Sequence, residues 1–297
     1  MRTFIHRAWR RVRWGFRQAW PERVVEREVQ GVRMHLPWSH RLPDYARARP
    51  QYGQNLVHLA ELLYDGLEPL TVLDIGANVG DSALQILHAT DARVLCVEAD
   101  RYFLEYLKRN VGNDPRVTVE EALLMVTADA VAMTPIRTGG TTRFVPGRNS
   151  QATAPRLRVD QLYARYEAFR RLRLVKSDTD GYDVDLIPEI ARVWVDSHPV
   201  LFFEYDLRLS HQAGHDPLAV WPRLADLGYT QVAVWDNFGN PLGQSGVREA
   251  ALALDDSRMV VNTDSGARPS YWDVAVVHNT DAPGLGAIDR LCPRPLR

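Results

Sequence analysis

The sequence predicts an α/β fold with a mostly parallel, doubly wound sheet and helices on both faces. Three observations predict it. From residue 71 onward, short apolar runs alternate with helical patterns, the mark of repeated βα units. The first run, 71–75, passes through a glycine-bearing turn directly into a helix. The 297 residues, 45% apolar and 25% charged, fit an ordinary globular chain of one large domain or two small ones. Ligands in such folds sit outside the carboxyl ends of the strands, where the strand order reverses.

In chain order, Val29, Val32, Met34 and Leu36 alternate with Arg33 and His35 around Gly31, which predicts a short hairpin. Pro37, Pro43 and Pro50 mark a crossing loop, and the apolar stripe from Leu56 to Leu63 predicts a helix with Gly66 as its terminal glycine. Residues 71–75 form a strand, 81–89 a helix and 93–98 the next strand. Asp100 caps a helix that Gly112 and Asn113 stop, and 117–119 form a strand. Residues 127–150 lack periodicity and predict a long loop with one hairpin, 132–136 with 141–145. A helix over 160–171, a strand over 172–177 and a helix over 185–195 follow. The run 200–205 is apolar enough for a central strand, 217–227 is helical, and 230–235 and 271–278 are late strands. The expected organisation is a basic arm over 1–50, a main domain over 51–280 and a tail over 281–297.

Charge is unevenly spread. Residues 1–50 hold 12 Arg against Glu22, Glu26, Glu28 and Asp44, a net of +8, so the remainder of the −1 chain carries −9. Over residues 1–20, Phe4, Ile5, Trp9, Val12 and Phe16 fall on one side of a helical wheel and Arg7, Arg10, Arg11, Arg13 and Arg17 on the other, and Pro21 should stop the helix. Such a helix docks its apolar face on its own domain, lies in a membrane interface as a peripheral contact, or frays. It lacks the apolar core and cleavage site of a secretory signal. The acidic body opposes nucleic-acid binding. No run of about 18 apolar residues occurs that would span a membrane. Cys96 and Cys292, far apart in sequence, build neither a zinc site nor a redox pair and suit a reducing, cytoplasmic setting.

The turn Asp74-Ile75-Gly76-Ala77-Asn78-Val79-Gly80 follows a strand and opens a helix. Asn78 stands where a glycine would be expected, and asparagine tolerates left-handed backbone better than most residues. Glu98 ends the next strand, and an acid about 20 residues on is how such folds hold ribose hydroxyls. Together these predict a nucleoside site. The turn is not the G-x-G-x-x-G of a nicotinamide dinucleotide site, and no phosphate-gripping Lys follows as in a P-loop. An acidic pocket of Asp74, Glu98 and Asp178 suits S-adenosylmethionine, which carries a sulfonium and no phosphate.

The run from Leu73 to Gly80, with Val97-Glu98, resembles the first motif of the FkbM-family S-adenosylmethionine-dependent methyltransferases. Leu174-Val175-Lys176-Ser177-Asp178-Thr179-Asp180-Gly181 is similar to the family's Lys-x-Asp-x-Glu-Gly signature, and the strand ending at Glu204 to its next acidic strand. The likeness spans about residues 50–240 and departs at Asp180, where the family has Glu, and at Ser177, usually apolar. It implies a Rossmann-like class I methyltransferase fold and methylation of a hydroxyl on a sugar or secondary metabolite. Carried over, Gly76, Asn78 and Gly80 border the methionine and ribose, Glu98 binds ribose, Glu121 and Ala122 lie beside adenine, and Asp178 faces the methyl group.

An alcohol acceptor has to lose a proton. Asp178, Asp180, Asp183 and His211 are candidates to take it, and Lys176 acts either through its charge on a developing alkoxide or as a structural partner of local acids. The oxygen-rich set Asp178, Asp180, Asp183 and Asp185, with Glu204 and Asp206, is of a kind that takes Mg²⁺ or Ca²⁺. Cofactor contact and a helix N-terminus account for these acids as well, so no metal site is assigned. Gly214 and Asp216-Pro217 break the helical face that His211 and His215 would share as zinc ligands. Two other classes stay open: a non-catalytic cofactor-binding module recruited by its basic arm, and a nicotinamide oxidoreductase.

Overall fold

A computed structural model describes residues 20–127, 133–138, 140–147, 154–254 and 271–296. The helix expected over residues 1–20 falls outside them apart from Trp20. The chain opens with hairpin β1 (Val24–Val29) and β2 (Val32–Pro37), turned by Gln30 at φ 49° and Gly31 at φ 85°. Two left-handed residues are what a tight, right-twisted hairpin requires. Val29, Met34 and Leu36 of this hairpin pack on Phe103 and Tyr106. Helices α1 (Leu42–Ala48) and α2 (Gln54–Leu63) follow. The three prolines predict only a loop where α1 forms, because Pro43 sits in its first turn, where the missing N–H costs nothing. Gly66 lies beyond Tyr64, which caps α2 in its place.

The doubly wound unit runs β3 (Leu70–Ile75), α3 (Asp81–Ala89), β4 (Ala92–Glu98), α4 (Arg101–Val111) and β5 (Val117–Glu121). Asp100 caps α4 as expected, accepting a hydrogen bond from Tyr102 N at 3.0 Å. The chain then lays short β6 (Leu123–Met125), the hairpin β7 (Met133–Thr138) and β8 (Thr141–Pro146), and β9 (Arg156–Arg158) over the carboxyl edge. It re-enters through α5 (Val159–Arg165), β10 (Leu174–Ser177), α6 (Asp183–Val193), β11 (Val200–Tyr205) and α7 (Leu207–Gln212). Next come α8 (Val220–Asp226), β12 (Tyr229–Asp236), β13 (Pro241–Gly246), α9 (Val247–Ala253), β14 (Trp272–His278) and α10 (Ala282–Leu291).

The main sheet has the order β13-β12-β14-β11-β10-β3-β4-β5. From β11 to β5 all neighbours are parallel, whereas β14, β12 and β13 are joined antiparallel. The chain winds outward from β3 to β5 and then crosses back to β10 on the other side of β3, so the order reverses between β3 and β10. The fold is a Rossmann-like α/β sheet with an antiparallel extension. Segments with no apolar alternation supply β13 and α9, and the expected tail contains α10, whose Ala287 and Ile288 pack against α2. Arg173 grips Asp281, the cap of α10, at 2.7 and 3.0 Å.

Strand alternation divides the core. Leu73, Ile75, Val175, Leu201 and Phe203 face α5, α6, α8 and α9. Leu70, Val72, Leu174, Val200 and Phe202 face α2, α3, α4 and α10. By the same period of two, Asp74, Lys176 and Glu204 belong to the second face. No helix among the described residues is long and apolar enough to cross a membrane. Trp221 is fully buried and donates from Nε1 to the Tyr205 hydroxyl at 3.1 Å. Trp221→Phe should cost about 1–3 kcal/mol in urea unfolding, from lost packing and a lost buried hydrogen bond.

Candidate functional site

The turn after β3 needs three left-handed residues: Gly76 at φ 69°, Asn78 at φ 52° and Gly80 at φ 86°. A Cβ on Gly76 would stand 2.0 Å from the Asp178 carbonyl oxygen, so the ends of β3 and β10 touch through bare backbone. Asp178 N also donates to Ile75 O at 3.1 Å. Gly80 serves a different purpose: a Cβ there would stand 2.8 Å from Leu107 Cδ1, so it lets α3 pack on α4.

Glu98 ends β4 beside this turn. Its two oxygens accept from Asn78 N and Asp100 N, each at 2.7 Å. Burial pushes its carboxyl up to about 7, against the pull of those two N–H groups. Between the turn and β10 lies a cleft of about 700 Å³ bordered by Gly76, Asn78, Glu98, Ala122, Asp178 and Asp180. Its walls are otherwise largely apolar, including Ile75, Val97 and Phe103. Among the described lining residues there is no Lys or Arg. The β7–β8 hairpin roofs it with Thr141, Thr142 and Phe144. That roof is pinned where Arg137 and Thr142 donate to the Asp100 carboxylate, all at 2.5 Å, where Tyr182 Oη donates to Phe144 O at 3.1 Å, and where Asn78 Nδ2 donates to Gly140 O at 2.9 Å. Burial would raise the Asp100 carboxyl, but Arg137 and Thr142 hold it below the usual carboxylate range.

The loop after β10 sorts its carboxylates by use. Asp183 is fully buried and accepts from Ser177 Oγ at 2.6 Å and Thr179 N at 3.2 Å, buckling the loop. This gives Ser177 its role at a position where an apolar residue was expected. Asp185 pairs with His215 Nδ1 and Arg223 Nη1, each at 2.8 Å, and Asp206 caps α7. His215 is thereby committed to Asp185, while His211 lies in the last turn of α7. Asp178 and Asp180 remain for the cleft. Asp180 is held in a left-handed backbone at φ 52°. Burial, and then Asp178 and Asp183, push its carboxyl up to about 7, against Arg143. No group of three His, Cys, Asp or Glu that would hold a metal occurs among the described residues.

Lys176 does not border the cleft. Its Nζ lies 3.1 Å from Asp74 Oδ1, its register neighbour on β3, and 3.0 Å from Gly76 O. Burial alone would lower its pKa, but Asp74, Asp178 and Asp81 outweigh that and hold it charged. Asp74 is fully buried beneath it and touches neither cavity. Glu121 likewise lies outside the cleft, paired with Arg101 at 3.1 Å and Lys108 at 3.7 Å, while its neighbour Ala122 lines the wall.

Lys176 opens on a second chamber, of about 680 Å³, which shares Asp178 with the cleft. Tyr52, Asn55, Asp81, Glu204, Tyr271 and Asp273 line it too. Sequence reasoning gave only Glu204 of this set. A readable signal was present at Asp273, an acid at the outset of an otherwise apolar strand. Nothing local marks Tyr52, Asn55 or Tyr271.

No protein-family model matches the sequence, and no curated protein matches it. Among solved structures, the chain is similar to a precorrin-6y C5,15-methyltransferase from Geobacter metallireducens, at 14% identity over 76% of this chain and 86% of that one, with a TM-score of 0.39. It is similar to an O-methyltransferase from Bacillus cereus in complex with SAH at 15% identity, 76% and 80% coverage and a TM-score of 0.40. A fibrillarin pre-rRNA processing protein from Methanococcus jannaschii gives 10% identity, 71% and 66% coverage and a TM-score of 0.41. These superpositions are loose, and the chemistry of the site is carried by this chain's own residues.

Removing one member of a buried ion pair strands the other's charge. Lys176→Met should therefore destabilise the protein by about 3–5 kcal/mol in urea unfolding. Adding Asp74→Asn should recover a large part of that loss, because both charges are then gone.

Proposed function

We propose that the protein is an S-adenosylmethionine-dependent methyltransferase acting on a hydroxyl oxygen of a sugar or secondary metabolite, in line with its FkbM-like motifs. One observation carries the reading. A largely apolar cleft with an acid at its nucleoside end and no cation among its described lining residues meets a polar chamber at a shared carboxylate, Asp178. A pyrophosphate would find no basic side chain in that lining, whereas a sulfonium would find Asp178 and Asp180.

The residues fit such a cofactor. After accepting one backbone N–H each, the Glu98 oxygens keep lone pairs for the two ribose hydroxyls. Thr179 adds a polar residue to the cleft wall beside Asp178 and Asp180. Ile75, Val97 and Ala122 offer flat apolar contact to a base. When bound, S-adenosylmethionine supplies an electrophilic methyl carbon. The chain's own part is placement and proton handling. The locked strand ends fix Asp178 between the two compartments, and holding the reactants in line can supply as much as about 7–11 kcal/mol of the barrier. Asp180, poised near neutrality and close enough to the chamber to act on Glu204, takes the proton from an acceptor hydroxyl that reaches the methyl carbon at the seam by Asp178, and returns it to solvent. Lys176, tied to Asp74 and the Gly76 carbonyl, sets a fixed positive charge near Asp178 on the wall of the second chamber.

S-adenosylhomocysteine, the demethylated product, should bind in preference to NAD in equilibrium titrations. Glu98→Ala should weaken that binding by at least about tenfold, roughly the loss of a charge-assisted hydrogen bond. Unchanged affinity would remove the ribose role. A base works only when deprotonated, so with a saccharide acceptor that turns over, kcat/KM should climb through about pH 7 and then level off. Asp180→Asn should abolish that limb and lower kcat by about 10²-fold or more.

A further inference from the structure

We infer that the second chamber takes an acceptor carrying a protonated amine, an amino-polyol in preference to its neutral counterpart. The inference rests on the methyl-transfer reading of the adjoining cleft and names the chemistry of its other substrate.

The chamber gathers four carboxylates from four elements: Asp81 opening α3, Asp178 after β10, Glu204 on β11 and Asp273 on β14. Lys176 is the one Lys or Arg among its described lining residues. Its charge faces Asp74 outside the chamber at 3.1 Å and is shared with Asp178 and Asp81, so one lysine stands against five acids and Glu204 is left without a cation. Glu204 and Asp273 are direct partners across the antiparallel β11–β14 pair. Like charges directly opposite one another are unfavourable in a sheet unless something between them compensates.

A second, independent feature points the same way. Asn55 lines the chamber, is 4% exposed, and donates from Nδ2 to Asp273 Oδ2 at 2.8 Å. That bond fixes the orientation of the amide, and its Oδ1 is left buried with no partner. With its acids ionised, the chamber therefore offers acceptors in excess of donors. An ammonium brings three donors and a positive charge, whereas a hydroxyl brings one donor and no charge. Burial, with Asp178 and Asp236 and against the Asn55 hydrogen bond, raises the Asp273 carboxyl to about 7, and burial with Asp178 and Asp180 leaves Glu204 well above its usual range. A cation placed among these acids reverses that cost, because it favours their ionised form. Phe202, Leu42 and Leu56 supply apolar wall for a carbon skeleton.

The test is calorimetric titration at pH 7 of protein saturated with S-adenosylhomocysteine, using glucosamine and glucose. Saturation fills the cofactor cleft first, so the cofactor's own ammonium does not explain the result. Glucosamine should bind at least about tenfold more tightly than glucose, and Glu204→Gln with Asp273→Asn should bring the ratio close to one. Equal affinity for the two sugars, or no binding of glucosamine, overturns the inference. The wild-type comparison decides this alone, so a variant that fails to fold leaves the test intact. The preliminary product titration reports separately on methyl transfer. Product binding without amine preference defeats only the present inference. If the product does not bind, the methyl-transfer reading fails, and the same two sugars titrated into the free protein then test the chamber alone.

Discussion

The contact on which the site depends is the approach of two strand ends, where the backbone of Gly76 meets the carbonyl of Asp178 with no side chain between them. Parallel register places Lys176 beside Asp74 two residues earlier, so the same seam is closed by a buried ion pair. Such a pair adds little net stability over apolar residues of similar shape, but it fails sharply if one partner is lost. Its effect here is geometric. It fixes where β3 and β10 end, and both cavities are defined from that line. The reversal of strand order forces the chain to diverge at this point, which opens the cleft.

The carboxylates around the seam divide into two groups by partner. Asp100, Asp183, Asp185 and Asp206 are satisfied by backbone N–H groups, hydroxyls, guanidinium or imidazole, and they hold loops and helix starts in place. Asp180, Glu204 and Asp273 are half-buried with their carboxyls raised, and each faces a cavity. Burying acids without matching cations destabilises the ligand-free fold as pH rises from the ordinary carboxylate range through their raised values. A site that keeps acids in this state stores a preference for positive charge.

The parts of this arrangement that were legible in the sequence are those that depend on local chemistry. The turn after β3, the acid ending β4 and the run after Lys176 are each marked by residues whose roles follow from position at a strand end. The alternation of apolar runs likewise gave the parallel core of the sheet. What escaped was long-range. Asn55 and Asp273 are 218 residues apart in sequence and share a hydrogen bond, and no periodicity announces that pairing. Helix α1 was hidden by a proline that helices accept in their first turn. Strand β13 is rich in glycine and holds its place by pairing with β12. Glu121, expected beside adenine, ends its strand facing the basic side chains of α4.

Asn78 looked like a defect in a glycine turn, since its left-handed backbone carries a strain that glycine would avoid. Its main-chain nitrogen is fastened to Glu98 on the floor of the cleft, and its side-chain nitrogen to Gly140 at the tip of the roof. One residue is thus a hinge pin joining two walls that are otherwise separate pieces of chain. A glycine would relax the turn and remove one of the roof's ties, leaving those to Asp100 and Tyr182. The strain accepted at this position couples the floor of the cleft to the hairpin above it.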